Sequence, residues 1–257
     1  MKAREITSVI EEFAPLSFQE KWDNSGYCIG SPDQEVHSAI LALDCTPKLI
    51  DEAVASGADL VITHHPLIFG GVSKISPDTN IGYIIYKAIQ NNIVIYSSHT
   101  NADKVLDGVS GLMAARLKLT DVEILEKGPN GEGLGVIGTL PVPVCDEEFA
   151  HMVKERFSLH HLRCSRPSGK SVRRVALCGG SGKSLISSAI AAGADAYITG
   201  DVSYHDFMTE NGFFLMDIGH YEGEIDIVER ISDILKEKIS TFAVRLIREN
   251  NNLVHYI

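Results

Sequence analysis

Eight histidine, aspartate and glutamate side chains of this sequence stand just after short apolar runs, where strands would end. They are His64, His65, His99, Asp103, Asp201, His205, His220 and Glu224. Imidazoles and carboxylates without cysteine suit zinc, iron, manganese and similar divalent ions, and these ligand types do not choose among the metals. Five or six such ligands are too many for one tetrahedral site, whereas two ions bridged by a carboxylate would use them in a hydrolytic arrangement. The alternative is that His99, His205 and His220 are separate loop residues.

Two of these histidines have a carboxylate four residues later. His99 is followed by Asp103, and His220 is followed by Glu224. On the first turn of a helix, side chains at positions i and i+4 lie on one face. Each pair is therefore expected to present both of its side chains to one point.

The elements that must position these residues alternate between strand and helix patterns. A β-branched run at 61–63 predicts a buried strand that ends at His64-His65-Pro66. Because neighbouring strand residues point to opposite faces, both imidazoles reach one place only if the backbone turns there. Before this strand, Thr46-Pro47 predicts a helix start and Gly57 predicts its end. This order of elements predicts an α/β fold with ligands at the carboxyl ends of the strands.

The strand–helix–strand run is repeated later in the chain. A shift of 136 residues aligns seven identical residues between 53–63 and 189–199. At the end of the repeated strand, His64-His65 corresponds to Gly200-Asp201. We therefore predict two related α/β lobes, an internal β-α-β repeat, with a dinuclear metal site between them. The predicted lobes are 1–105 with 222–257, and 106–221.

Further segments complete the expected fold. Other helices and strands are predicted at 4–14, 81–90, 107–117, 134–140, 146–157, 222–238, 242–247 and 253–257. Asp146 is expected to cap the helix that it begins. Basic residues across 163–174 favour a solvated connecting loop over a phosphate-attracting edge. The lone Trp22 stands beside turn formers and suggests an anchored loop.

Composition limits the class of protein. The 257 residues carry a net charge of −11, which argues against a nucleic-acid binder that relies on positive charge. Five scattered cysteines form no CxxC pair and fit a reduced protein better than a disulfide scaffold. The amino terminus lacks the apolar stretch of a signal peptide, and no run of 18 apolar residues could span a membrane. We expect a cytoplasmic protein without membrane or nucleic-acid partners.

One glycine-rich segment resembles a phosphate-binding loop. Gly179-Gly180-Ser181-Gly182-Lys183-Ser184 ends like a P-loop, but that motif requires glycine at position 177, where this sequence has leucine. We interpret the segment as a tight strand-to-helix turn. The alternative is an anion held at the amino end of the following helix.

Motifs spread over nearly the whole chain occur together in one protein family. They are Trp22-Asp23-Asn24-Ser25-Gly26, Ala58-Asp59-Leu60-Val61-Ile62-Thr63-His64-His65-Pro66, His99-Thr100-Asn101-Ala102-Asp103, Thr199-Gly200-Asp201 with Tyr204-His205, and Gly219-His220-Tyr221-Glu222-Gly223-Glu224. With these motifs the sequence resembles the dinuclear-metal proteins called GTP cyclohydrolase 1 type 2 homologues, or the NGG-interacting-factor-like family.

The resemblance implies a ligand set and an assembly. The family's metal ligands fall here on His64, His65, Asp103, His220 and Glu224. Glu224 is the expected bridge between two divalent ions, and His99 is expected close by. The family often has asparagine where Ser110 stands and serine or threonine where Gly223 stands, and neither change removes a ligand. The resemblance also implies a toroidal homohexamer.

Residues and resemblance together predict a metal-dependent hydrolase. Two ions would lower the pKa of a shared water and hold a substrate oxygen. His99, Asp201 or His205 could move a proton, and spacing does not choose among these three catalytic candidates. The family name implies a nucleotide, GTP, as the small-molecule substrate; a cyclic amide or phosphoester is also considered, since a fold does not set a substrate. The alternative is a non-catalytic regulatory or metal-chaperone ring protein that binds metal.

Overall fold

Strands and helices alternate along the chain, which the computed structural model describes over residues 1–210, 212–249 and 252–255. In this part of the chain the strands are β1 Gly26–Ile29, β2 Ser38–Ala42, β3 Leu60–Thr63, β4 Val94–Ser97, β5 Thr120–Lys127, β6 Gly133–Cys145, β7 Arg163–Cys164, β8 Ser171–Leu177, β9 Ala196–Thr199, β10 Phe214–Asp217 and β11 Ala243–Leu246. The α-helices are α1 Ala3–Phe13, α2 Pro47–Ser56, α3 Asn80–Gln90, α4 Thr100–Asp103, α5 Val109–Leu117, α6 Asp146–Arg156, α7 Ile186–Ala191, α8 His220–Glu224 and α9 Asp226–Lys238. Short 3-10 helices occupy Leu16–Phe18, Lys183–Leu185 and Tyr204–Phe207.

The contacts within the chain divide it into two compact units. Unit 1 is Met1–Ala102 together with the chain from Ile227 onward, and unit 2 is Asp103–Asp226. Each unit is built on one sheet. In the described part of the chain, no helix combines the length and the apolar character that a membrane span needs.

Unit 1 has a five-stranded sheet in the order β1-β4-β3-β2-β11. All neighbours are parallel except the edge strand β1, which runs antiparallel to β4. Strands β3 and β4 are wholly buried, which explains their continuous apolar sequences. The crossover helix α2 begins as predicted, because the hydroxyl of Thr46 accepts from the amide of Leu49 at 3.2 Å. Since β3 and β4 are parallel, their carboxyl ends lie side by side at one edge of the sheet.

Unit 2 has a six-stranded sheet in the order β5-β6-β8-β9-β10-β7. Strands β8, β9 and β10 are parallel to one another, and the other three run antiparallel to their neighbours. The side chains of Phe149, Phe214 and Met216 form part of the core against this sheet. The carboxyl ends of β9 and β10 lie next to each other, so the segments that follow them share one edge.

The two sheets repeat one topology. An antiparallel edge strand is followed across the sheet by β4, β3 and β2 in unit 1, and by β10, β9 and β8 in unit 2. Strands β3 and β9 begin and end 136 residues apart. Gly57 and Gly193, also 136 residues apart, both have a left-handed φ, of 68° and 74°. The prediction of two related α/β units is confirmed.

Two predictions for unit 2 were wrong in detail. Helix α6 begins at Asp146, but Cys145 holds the N-cap position. The Asp146 carboxylate instead accepts from the backbone amides of Ser168 and Gly169, at 2.5 and 2.9 Å. The basic segment 163–174 is only partly a loop, because it contains β7 and the start of β8.

The end of the chain also differs from expectation. The helix predicted at 222–238 starts earlier, at His220, and forms two helices, α8 and α9. The strand predicted at 242–247 is present as β11. Of the second predicted strand, residues 253–255 have no strand structure, and 256–257 lie outside the described residues.

Candidate metal centre

Three imidazoles meet at the carboxyl ends of β3 and β4 in unit 1. His64 and His65 follow β3 directly, and His99 stands two residues after β4. One nitrogen from each ring lies within 4.8 Å of a nitrogen from each of the others. The ring centroids are 5.0 to 5.4 Å apart. Three imidazoles at this spacing form a donor set of the kind that holds a divalent cation in proteins.

Each of these rings is oriented by a hydrogen bond at Nδ1. The acceptors, each at 2.8 Å, are the Ser98 carbonyl for His64, the Asp44 carboxylate for His65 and the Asp23 carboxylate for His99. Because an oxygen acceptor requires a proton on Nδ1, the neutral ring presents its lone pair at Nε2. Metal-binding histidines in proteins are commonly held in this way, and the outer oxygen also makes the ligand nitrogen more basic. The three donors therefore fit a metal ion.

Asp23 is a functional candidate that sequence reasoning missed. Besides His99, its carboxylate accepts from the hydroxyl of Ser25 at 2.9 Å and from the amide of Thr100 at 3.0 Å. Burial alone raises the pKa of the Asp23 carboxyl, but the hydrogen bonds from His99 and Thr100 outweigh it and hold this pKa below its usual range. Asp23 is thus an ionised group behind His99. Its signal in the sequence was its position in the Trp22–Gly26 motif.

Asp44 is the second missed candidate. It stands two residues beyond β2, and Nδ1 of His65 lies 2.8 Å from its carboxylate. Its position just after a buried parallel strand could have identified Asp44 from the sequence, because the other candidates were chosen by the same criterion. Asp44 and Asp23 orient two of the three rings.

In unit 2, helix α8 begins at His220 and carries Glu224 one turn later. Nε2 of His220 lies 3.0 Å from Oε2 of Glu224, as the i, i+4 spacing predicts. Nδ1 of His220 lies 2.8 Å from the carboxylate of Asp201. Asp201 has a left-handed φ of 55°, which a residue with a side chain rarely adopts. A strained backbone thus presents the carboxylate that orients this histidine.

The glycine-rich turn 179–184 lies against Glu224, whose side chain is only 4% exposed. A Cβ at Gly180 would overlap Oε1 of Glu224, and a Cβ at Gly179 would lie 3.3 Å from its Cγ. Gly182 donates its amide to the hydroxyl of Thr199 at 2.9 Å. These contacts account for the glycines without a phosphate, in agreement with the structural interpretation of the turn.

Asp103 is the last residue of α4. Its negative charge and that of Glu224 both act on the thiol of Cys178 in unit 2. Burial, and then the negative charges of Asp103 and Glu224, raise the pKa of the Cys178 thiol to about 12. Cys178 is therefore a buried, neutral thiol near the two carboxylates. Unit 2 supplies two carboxylates and one imidazole to the predicted ligand set.

The third catalytic candidate, His205, differs from the others. It lies in the 3-10 helix Tyr204–Phe207, is exposed, and contacts the ring of Tyr204 at 5.2 Å between centroids. Among the described residues, the groupings that could hold a metal do not include it. The roles predicted for His99, Asp201 and His205 stay predictions.

These features define a class of protein, a duplicated α/β fold with histidine and glutamate groupings that could hold a metal ion. The family described as Duf34/NIF3 (NGG1p interacting factor 3) matches residues 1–252, and the chain belongs to this family. The resemblance inferred from the motifs is confirmed.

Relatives and solved structures agree with this assignment. A Clostridium perfringens protein named GTP cyclohydrolase 1 type 2 homolog is 34% identical over 246 residues, covering 94% of each chain. A Clostridium acetobutylicum protein of the same name is 35% identical, covering 98% of this chain and 97% of that one. The crystal structure of a Bacillus cereus protein related to NIF3 superposes with a TM-score of 0.92 at 24% identity, covering 100% and 99% of the two chains. The last similarity shows the shared fold.

Proposed function

We propose that this protein binds two divalent metal ions and hydrolyses a small-molecule substrate with them. The observation that carries the proposal is the orientation of His64 and His65, whose Nδ1 atoms are held by protein oxygens at 2.8 Å so that the neutral rings present Nε2 to a metal ion. The proposed ligands are His64, His65, Asp103, His220 and Glu224, with Glu224 as the bridge. Its two oxygens can serve two ions, whereas an imidazole nitrogen serves one. The substrate classes considered are nucleotides, cyclic amides and phosphoesters.

Bound divalent ions would supply an activated water and would stabilise negative charge on a substrate oxygen. The residues of the chain supply orientation and proton transfer. His99 lies in the same cluster as His64 and His65, but the resemblance places it beside the ligands and not among them, and we therefore assign it as the general base. Asp23 accepts from Nδ1 of His99 at 2.8 Å and would stabilise the imidazolium formed when Nε2 takes a proton. Asp201 already holds His220, and His205 is exposed, so both suit this role less.

We also propose a toroidal homohexamer and a cytoplasmic location. The resemblance to the family supports the ring, and the five scattered cysteines, all of them free thiols, support a reducing compartment. Light scattering of the purified protein should give six times the mass of the 28.0 kDa chain.

The test combines metal analysis with a substrate screen. Protein stripped by chelator is reloaded with Zn²⁺, Mn²⁺ or Fe²⁺, the last under anaerobic conditions, and bound metal is measured by elemental analysis. Two ions per chain are expected, and turnover of GTP, bis-p-nitrophenyl phosphate or dihydrouracil should rise with metal content. His99→Ala should abolish turnover and retain metal, whereas the exposed His37 provides a matched control, His37→Ala.

The outcomes separate the parts of the proposal. A plateau at one ion per chain contradicts the bridged pair. Full loading with two ions and no turnover of any compound in the screen contradicts the hydrolase and leaves a metal-binding protein.

A further inference from the structure

Two exposed aromatic side chains stand beside His99 in unit 1. Trp22 is 60% exposed and Phe69 is 53% exposed. Their ring centroids lie 6.0 and 5.5 Å from the imidazole of His99, at interplanar angles of 72° and 82°. A single exposed aromatic residue is ordinary on a protein surface. Two of them against one imidazole of a candidate metal cluster place exposed apolar surface where chemistry is proposed.

The segments that carry these rings are fixed by their neighbours. The side-chain amide of Asn24 donates to the carbonyl of Ile68 at 2.8 Å and joins the two segments. Asp23, next to Trp22, is held by His99 and Thr100. On the other side, Leu67 is buried in the core of unit 1. The rings are therefore positioned by the backbone while most of their own surface stays in contact with solvent, as a preorganised binding surface requires.

We propose that Trp22 and Phe69 are specificity-determining residues that stack on a planar, nitrogen-containing aromatic ring of the substrate. This inference rests on the proposed function and narrows its substrate class to heteroaromatic compounds. Aromatic side chains stack on any nucleobase-like ring, because each such ring has a π face. A ring held there would bring its substituents next to His99, the proposed base.

A matched pair of probes tests the stacking. Guanosine 5′-monophosphate and ribose 5-phosphate share sugar and phosphate, and only the first has an aromatic ring. With zinc-loaded protein, calorimetry should show the nucleotide binding at least about tenfold more tightly, in line with stacking on aromatic side chains. Trp22 is the only tryptophan of the chain, so nucleotide binding should quench its fluorescence directly.

Variants identify the residues that cause this preference. Trp22→Leu and Phe69→Leu should each weaken nucleotide binding by about tenfold and leave ribose 5-phosphate affinity and zinc content unchanged. Trp22→Phe keeps a ring and should retain most of the affinity. Tyr86 on α3 is 45% exposed and gives the matched control, Tyr86→Leu, which should bind like the parent.

Three results would overturn the inference. The first is equal affinity for guanosine 5′-monophosphate and ribose 5-phosphate. The second is an unchanged nucleotide affinity in Trp22→Leu and Phe69→Leu. The third is a changed assembly mass in those variants while their nucleotide affinity stays that of the parent. The last result would identify the surface as an interface between copies. The proposed function can fail independently of this inference. Protein that takes up no zinc would refute the metal site. Comparing the affinities of the two probes on that metal-free protein would still test whether Trp22 and Phe69 stack on the nucleotide.

Discussion

A substitution at Gly180 would displace the side chain of Glu224 while every candidate ligand residue stays the same. A Cβ at Gly180 would overlap Oε1 of Glu224, lie 3.1 Å from its Cδ and reach within 3.4 Å of Cε1 of His220. The carboxylate is buried, so it would have to turn away from its present position. Gly180 also has a φ of +58°, where an alanine costs about 1 kcal/mol of folding free energy. For a chain of this size, that cost lowers Tm by about 2–4 °C.

We expect Gly180→Ala to weaken divalent-metal binding by at least about tenfold. Substitutions behind metal ligands typically reduce affinity 10- to 100-fold, and here the ligand itself would move. Gly193→Ala is the matched control, because Gly193 has a φ of +74° and nothing lies within 4 Å of an added Cβ. Both variants carry the same backbone cost, and only one of them disturbs the carboxylate.

The assay is zinc titration by calorimetry together with thermal unfolding of the metal-free proteins. Both variants should lose Tm, Gly180→Ala at least as much as Gly193→Ala, and only Gly180→Ala should lose metal affinity. If both variants bind zinc as the parent does, the position of Glu224 does not matter for metal binding, and the reasoning is refuted.

Three further predictions concern Lys183, Glu224 and Asp146. Lys183→Ala should leave metal content unchanged and alter GTP affinity by less than tenfold, since this lysine is exposed and reaches a serine hydroxyl at 3.4 Å; a larger loss would restore the P-loop interpretation. Glu224→Gln should weaken the second metal far more than the first, with an unchanged circular dichroism spectrum; tight binding of both ions would make Asp103 the better bridge. Asp146→Ala should reduce the free energy of unfolding at pH 7 by about 2 kcal/mol, because two backbone amides lose their buried acceptor. Burial raises the pKa of Asp146, but hydrogen bonds from Ser168 and Gly169 outweigh it and lower this pKa. The stability difference between the parent and Asp146→Ala is therefore complete above about pH 4 and disappears as the pH falls through the lowered pKa. Urea unfolding of both proteins at pH 7 and at pH 3 checks this, and an equal difference in unfolding free energy at the two pH values would contradict it.

Local patterns predicted most of the fold. Thr46 and Gly57 bound α2 because capping depends on residues a few positions apart. The repeat between 53–63 and 189–199 was visible because both copies keep the same turn and strand residues. Strand β5 was not predicted, because its pairing with β6 is a tertiary contact that local composition does not show. Within 120–145 the sequence predicted only one strand, at 134–140.

The candidate site was harder to predict from the sequence than the strands were. Asp23 and His99 are 76 residues apart, and Asp44 and His65 are 21 apart, so their pairing depends on the folded chain. The loop around Trp22 was expected to be anchored, and it is held through the carboxylate of Asp23, while the indole itself stays exposed. The lobe bounds, the ligand set and the catalytic roles stay predictions.

The hydrogen bonds at Nδ1 have a consequence for the exchange of metals. The rings of His64, His65 and His99 are oriented by oxygens of the protein itself, so their arrangement does not depend on an ion. A zinc finger, by contrast, loses its fold when a chelator removes its metal. If His64 and His65 bind metal as proposed, replacing one ion by another there would be a ligand substitution on a folded protein and not a refolding event. The metal carried by the protein would then follow the free concentrations in its surroundings, weighted by the Irving–Williams order.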